Sequence, residues 1–139
     1  MSLKLLRVVE TKIGRMYVEF DKTRGNVVYV LDSNKNYMGE IYCEYALTER
    51  GAKLTKKNCC DYAIECLKPI SDAYDLAQIG VFSGCYFADS LEGLLEVIND
   101  RLIENEEEPM TLDFLKQWEW LNQVGNTYIC VYENEYTFD

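Results

Sequence analysis

The chain has 139 residues, 48% of them hydrophobic, which is enough apolar material for one folded core. Its formal net charge of −10 excludes the surplus of Lys and Arg on which direct nucleic-acid binding depends. The absence of histidine excludes Ser-His, Cys-His and His-metal catalysis. We therefore expect a folded protein that is not an enzyme and that carries no cofactor and no metal ion.

The apolar segments are short. The longest uncharged run covers residues 76–88, whereas a membrane-spanning helix needs about 20 apolar residues. The N-terminal residues 1–10 lack the apolar region of a signal peptide. These features predict a cytoplasmic protein that does not enter a membrane. No linker-like stretch interrupts the sequence, so we expect a single domain over residues 1–139.

The first third of the chain has the pattern of half-buried strands. Met16, Val18 and Phe20 alternate with more polar neighbours, and residues 27–31 are apolar on both faces, as in a central strand. The alternation resumes at Ile41 and continues to Tyr45. Since the strands are separated by short turns, they predict an antiparallel meander over residues 3–46.

Two tyrosines, Tyr17 and Tyr42, fall on the outer face of this predicted meander. Tyrosines at such positions are ordinarily strand formers. The same residue type is enriched in protein interfaces, which leaves a contact role open.

Helical periodicity begins near residue 55. Thr55 can cap a helix that ends at Leu67, before Pro69. Its inner face has the spacing i, i+3, i+4, i+7, at Cys60, Ala63, Ile64 and Leu67. Ser71 can cap a short helix to residue 77 or 79, and residues 79–87 then resemble a buried strand.

Residues 89–108 carry the strongest helix signal, with Asp89 and Ser90 as candidate N-caps. Apolar residues at helical spacing form one stripe: Leu91, Leu94, Leu95, Ile98 and Leu102. The opposite face carries five carboxylates spaced i, i+4: Glu92, Glu96, Asp100, Glu104 and Glu108. Because like charges at this spacing repel, the buried stripe must hold the helix in place.

Another helix is expected over residues 112–122, capped by Thr111, and a last strand over 127–131. On the helical wheel, Trp118 lies on the apolar face, and Trp120 lies among polar residues. Tryptophan is frequent at binding hot spots, so Trp120 is a candidate contact residue. The alternative is that a loop or strand of the same chain covers the Trp120 side chain.

Together these elements predict an α+β fold. An antiparallel sheet, formed by the N-terminal meander and later strands, would carry three to four helices on one face.

Charge is distributed unevenly along the chain. Residues 1–57 hold 11 basic and 7 acidic residues, a net of +4, and residues 58–139 hold 3 basic and 17 acidic residues, a net of −14. This asymmetry indicates either a polar partner or attraction between the two parts of the chain.

The leading hypothesis is a small acidic protein-binding module. Its carboxylate row and Trp120 would occupy a basic surface of another protein, such as a nucleic-acid-binding groove, and so inhibit that protein. Small acidic inhibitors of phages and mobile elements have this size and charge. The simpler reading is that the row is only a solvated helix face.

The alternative hypothesis is a structural or oligomerisation module that associates with copies of itself through Trp120 and the outer tyrosines. A hydrolase with paired carboxylates is compatible with 24 acidic residues, but the acids that can be placed lie on a solvated helix face.

All six cysteines should be free thiols in the freshly purified protein, because a cytoplasmic chain without a zinc-like cysteine spacing uses cysteine as a small buried apolar residue. Thiol titration of the denatured, unreduced chain should count six. A count of four or fewer would contradict this prediction.

Overall fold

The structure is a computed structural model that describes residues 6–81, 86–118 and 121–130. Its strands are β1 (Arg7–Thr11), β2 (Gly14–Phe20), β3 (Val27–Leu31), β4 (Tyr37–Tyr42), β5 (Tyr86–Ala88), β6 (Leu121–Val124) and β7 (Thr127–Cys130). Its helices are α1 (Glu44–Glu49), α2 (Lys56–Leu67), α3 (Ala73–Gln78), α4 (Leu91–Glu104) and α5 (Leu112–Lys116).

The N-terminal strands form a four-stranded antiparallel sheet in the order β1-β2-β3-β4, here called the first sheet. The predicted meander is confirmed, with β3 as a central strand. One side of this sheet is buried: Val9, Met16, Val18, Val28, Val30, Met38 and Ile41. The other side faces solvent and carries the outer tyrosines.

The later strands form a second antiparallel sheet in the order β5-β7-β6, separate from the first. Alternate residues along its strands point to opposite sides. Ile129 and Phe87 contact the core under the first sheet, whereas Cys130 and Tyr86 contact α4 and α5. The second sheet therefore separates two apolar cores. The predicted α+β fold class is confirmed, but the later strands form a sheet of their own and do not join the meander, as the sequence had predicted.

Three helices complete the core under the first sheet. The Thr55 hydroxyl caps α2. Of the predicted inner face, Cys60, Ala63 and Leu67 are buried and Ile64 is partly buried. Cys59, which was not predicted there, is buried as well. Buried residues of α1 and α3, Leu47 and Leu76, fill the same core. The second core lies between α4, α5 and the far side of the second sheet.

Three predicted boundaries are wrong. The strand expected to continue to Tyr45 ends at Tyr42, and residues 44–49 form α1. The strand expected over 79–87 is limited, among the described residues, to β5, because Val81 N donates to Leu76 O and closes a turn after α3. Residues 82–85, which include Cys85, lie outside the described residues.

The helix expected over 112–122 ends at Lys116, and its last predicted turn is the start of β6. Leu121 pairs with Cys130, and Asn122 pairs with Ile129, so sheet pairing replaces the helical continuation. Trp118 is partly buried against the second core, near its predicted place. Phe114, expected on the apolar face, is 52% exposed.

The two sheets are joined at Asp32, which is fully buried. Its Oδ1 accepts hydrogen bonds from the backbone N–H groups of Asn34 and Asn36, at 2.9 and 2.8 Å. Its Oδ2 accepts from Asn122 Nδ2 and from the backbone N–H of Gln123, both at 3.1 Å. One carboxylate therefore connects the β3–β4 turn of the first sheet to strand β6 of the second.

A second junction lies where the β1–β2 and β6–β7 turns meet. Gly14 has φ +137°, and a Cβ placed on it would lie 2.6 Å from both Cα and N of Gly125. Ser33 Oγ stands beside this contact, accepting from Gly125 N at 2.6 Å and donating to Arg15 O at 2.9 Å. Only glycine at position 14 allows the two backbones to approach so closely.

The substitution Gly14→Ala should lower the free energy of unfolding by about 3 kcal/mol, because it adds a backbone clash to a strained φ. Gly25→Ala is the matched control, since Gly25 has φ +74° but no atom within 4 Å of the added Cβ. It should cost only about 1 kcal/mol. Denaturant titration of both variants checks this difference, and equal losses would show that the Gly14–Gly125 contact has no role in stability.

Candidate protein-binding surface

Helix α4 is held to the protein by the face that the sequence predicted. The Ser90 hydroxyl accepts a hydrogen bond from the Gly93 N–H and caps the helix. Leu94, Ile98 and Leu102 are buried against the second sheet and α5. A helix anchored by three buried side chains along its length presents its opposite face as a firm surface.

That opposite face carries four exposed carboxylates in i, i+4 succession: Glu92, Glu96, Asp100 and Glu104. We call these residues the acidic ridge. At a rise of 1.5 Å per residue, successive members are about 6 Å apart along the helix axis. The whole ridge is therefore about 18 Å long.

The fifth predicted member, Glu108, is exposed but does not lie on the helix. α4 ends at Glu104, and Glu106 has a positive φ of 60°, which turns the chain away from the helix axis. Asn99 fixes the returning chain, since its Oδ1 accepts from Met110 N at 2.6 Å and its Nδ2 donates to Met110 O at 3.0 Å. Trp120, the other predicted contact residue, lies outside the described residues.

Two aliphatic side chains accompany the acidic ridge and were missed as functional candidates in the sequence. Val97 is 41% exposed and Ile103 is 59% exposed. At 100° per residue they lie about 60° to either side of Asp100. The same helical periodicity that separates the charged residues from the buried stripe also places these two side chains on the exposed face.

Attraction between the basic and acidic parts of the chain occurs at α2. Arg7 NH2 and Lys57 Nζ contact the two carboxylate oxygens of Asp61 at 2.9 and 2.8 Å, and these hydrogen bonds lower the pKa of Asp61. Arg50 makes two hydrogen bonds to Glu65, which lower the pKa of Glu65. Basic residues of the first part of the chain thus form ion pairs with acidic residues of α2, which belong to the second part.

The outer side of the first sheet is a second exposed surface. The strand register places one residue from each strand in a row across it: Val8, Tyr17, Leu31 and Tyr37. Val8 is 45% exposed and Tyr37 is 57% exposed at the two ends of the row. We call these four residues the apolar row.

Four of the cysteines, Cys43, Cys59, Cys60 and Cys66, offer no activated nucleophile. Cys43, Cys59 and Cys60 are buried and Cys66 is partly buried, all as free thiols. Burial raises the pKa of each, that of Cys43 to about 12, so the thiolate form is disfavoured. Among the residues that the structure describes, no three His, Cys, Asp or Glu side chains are arranged to hold a metal ion.

Comparisons with protein-family models, with curated proteins and with solved structures yielded no match to this chain. None of the helices in the described ranges has the length and apolar character needed to span a membrane.

Proposed function

We propose that this chain is a small acidic, non-catalytic binding protein of the cytoplasm, and that its acidic ridge occupies a basic surface of another protein. The observation that carries the proposal is the arrangement of four exposed carboxylates on one face of α4, whose other face is buried. A partner that meets this face contacts several negative charges that project from one helix whose backbone is already held in place. Little backbone freedom is therefore lost when this surface binds.

The spacing of the ridge suits a surface that ordinarily binds nucleic acid. Ridge carboxylates recur about every 6 Å, and phosphates on one DNA strand recur about every 3.4 Å along the axis. Each carboxylate step therefore covers about two phosphate positions. A basic groove filled in this way would be closed to its nucleic acid, which supports an inhibitory role.

Val97 and Ile103 favour a protein partner over a small cation. Interfaces between proteins bury apolar side chains together with polar and charged ones, and these two exposed aliphatic residues lie beside the ridge carboxylates. Charge attraction would raise the association rate and make binding depend on salt concentration. The aliphatic side chains would add buried apolar surface to the interface.

The proposal is tested by reversing the charge of the ridge. Glu96, Asp100 and Glu104 changed together to Lys should weaken binding at least about 100-fold, because like charges would then face one another in the complex. The partner is first captured from host lysate at low salt, identified, and measured by calorimetry. Since these three side chains are exposed, the melting temperature should be unchanged or higher as the repulsion along the ridge is relieved.

The matched control changes Glu10, Glu44 and Glu49 to Lys, three exposed acids outside α4. Glu10 pairs with Arg15 at the surface, and losing such an exposed ion pair costs at most about 1 kcal/mol, so the control variant should stay folded. Both variants have the same net charge, so a loss of binding limited to the ridge variant assigns the contact to α4. Full affinity in the ridge variant, with native melting, would mean that the ridge is only a solvated surface.

A further inference from the structure

We propose that Cys43 and Cys59 form a redox-sensitive pair, which a hydroperoxide converts into a disulfide that ties α1 to α2. Without an oxidant the pair stays reduced, in agreement with the free thiols expected of the freshly purified chain. The proposal concerns the core under the first sheet and is independent of the function proposed for α4.

The two thiols belong to a group of cysteines in this core. Cys43, Cys59 and Cys60 are buried, and Cys66 is partly buried beside them. Within the group, Cys43 Sγ lies 3.7 Å from the carbonyl oxygen of Cys59. A disulfide joins cysteines whose Cα atoms are about 5.5–6 Å apart, so a sulfur this close to the main chain of Cys59 comes within bonding range by side-chain rotation.

The two helices that carry the pair differ in how firmly they are held. α1 has six residues, buries one of them, Leu47, and has Cys43 as an N-cap that makes no side-chain cap hydrogen bond. α2 has twelve residues, is capped by the Thr55 hydroxyl and buries four side chains. A helix as short as α1 is not stable by itself. We therefore expect α1 to open locally while α2 remains folded.

Opening of α1 would give an oxidant access to Cys43. In the closed state the thiol is out of contact with water, and its pKa is raised first by burial and then by the nearby Cys59 thiol, so it stays protonated and unreactive. In the open state it regains the ordinary reactivity of a solvated thiol. The Cys43 N–H donates to Asn26 O at 2.9 Å, a bond outside α1 that holds Cys43 beside α2 during the opening.

The oxidation takes place in two steps. The Cys43 thiolate attacks one oxygen of hydrogen peroxide, the O–O bond breaks, and a sulfenic acid and one water molecule are formed after proton transfer. When α1 closes, the Cys59 sulfur attacks the sulfenic sulfur, the S–O bond breaks, and the leaving hydroxide takes up the Cys59 proton as a second water molecule. Two thiols have then lost two hydrogens and two electrons to one peroxide.

The disulfide should suppress the opening of α1, because it fixes the first turn of this helix to α2. The Leu47 N–H donates to Cys43 O at 3.0 Å, so exchange of its hydrogen with solvent reports the opening. In the reduced chain this amide should exchange faster than that of Ala63 in α2. In the oxidised chain its exchange should slow at least about 10-fold, as expected when a local opening is blocked.

Mass spectrometry and thiol titration of the whole chain, before and after treatment with stoichiometric hydrogen peroxide, test the proposal. Oxidation should remove about 2 Da, lower the thiol count from six to four, and be reversed by dithiothreitol. Fragmentation of the cross-linked peptide should locate the bond between Cys43 and Cys59. Circular dichroism establishes that the oxidised chain is still folded.

Cys43→Ala and Cys59→Ala should each abolish the loss of two hydrogens. Cys60→Ala is the matched control, since it removes the neighbouring buried thiol and should leave the disulfide unchanged. If a variant fails to fold, the peptide map of the unaltered chain decides. Retention of six thiols in the folded chain, or a bond that joins other cysteines, overturns the proposal. A Leu47 amide that exchanges as slowly as that of Ala63 in the reduced chain contradicts it as well.

Discussion

The fold depends on one buried carboxylate. Asp32 accepts four N–H hydrogen bonds, two from its own turn and two from β6. A buried carboxylate without partners is among the most costly groups in a protein interior, and one whose oxygens are all paired specifies the positions of its donors. Asp32 therefore stabilises the closed β3–β4 turn and also selects where the second sheet docks.

This junction helps to determine where α4 and its acidic ridge lie. The second sheet attaches to the first through β6, and α4 packs on the side of the second sheet that faces away from that contact. As a result, α4 and the core under the first sheet lie on opposite sides of the second sheet.

Local sequence patterns predicted correctly those strands and helices that depend mainly on interactions between residues close together in the chain. The meander, α2 and α4 follow from alternation, helical spacing and the caps at Thr55 and Ser90. The prediction of a helix over 112–122 was wrong at its C-terminal end. Asn122 and Gln123 donate hydrogen bonds to Asp32, about 90 residues earlier, and a local pattern cannot reveal so distant a partner. The apolar row could not be predicted either, because it depends on how the four strands are aligned. Of its members, only Tyr17 was assigned to the outer face from the sequence. All four residues of the acidic ridge were predicted, but the fifth predicted member, Glu108, lies past a turn at Glu106 that no periodicity indicates.

The most direct test of this account is the free energy of unfolding of Asp32→Asn, measured by denaturant titration against the natural chain. The amide has almost the same shape, but its NH₂ group would face N–H donors in place of one carboxylate oxygen. We expect a loss of about 3 kcal/mol, because a charged acceptor is removed and buried donors are left unpaired. A loss below about 0.5 kcal/mol, the size typical of a surface substitution, would contradict the claim that Asp32 joins the two sheets.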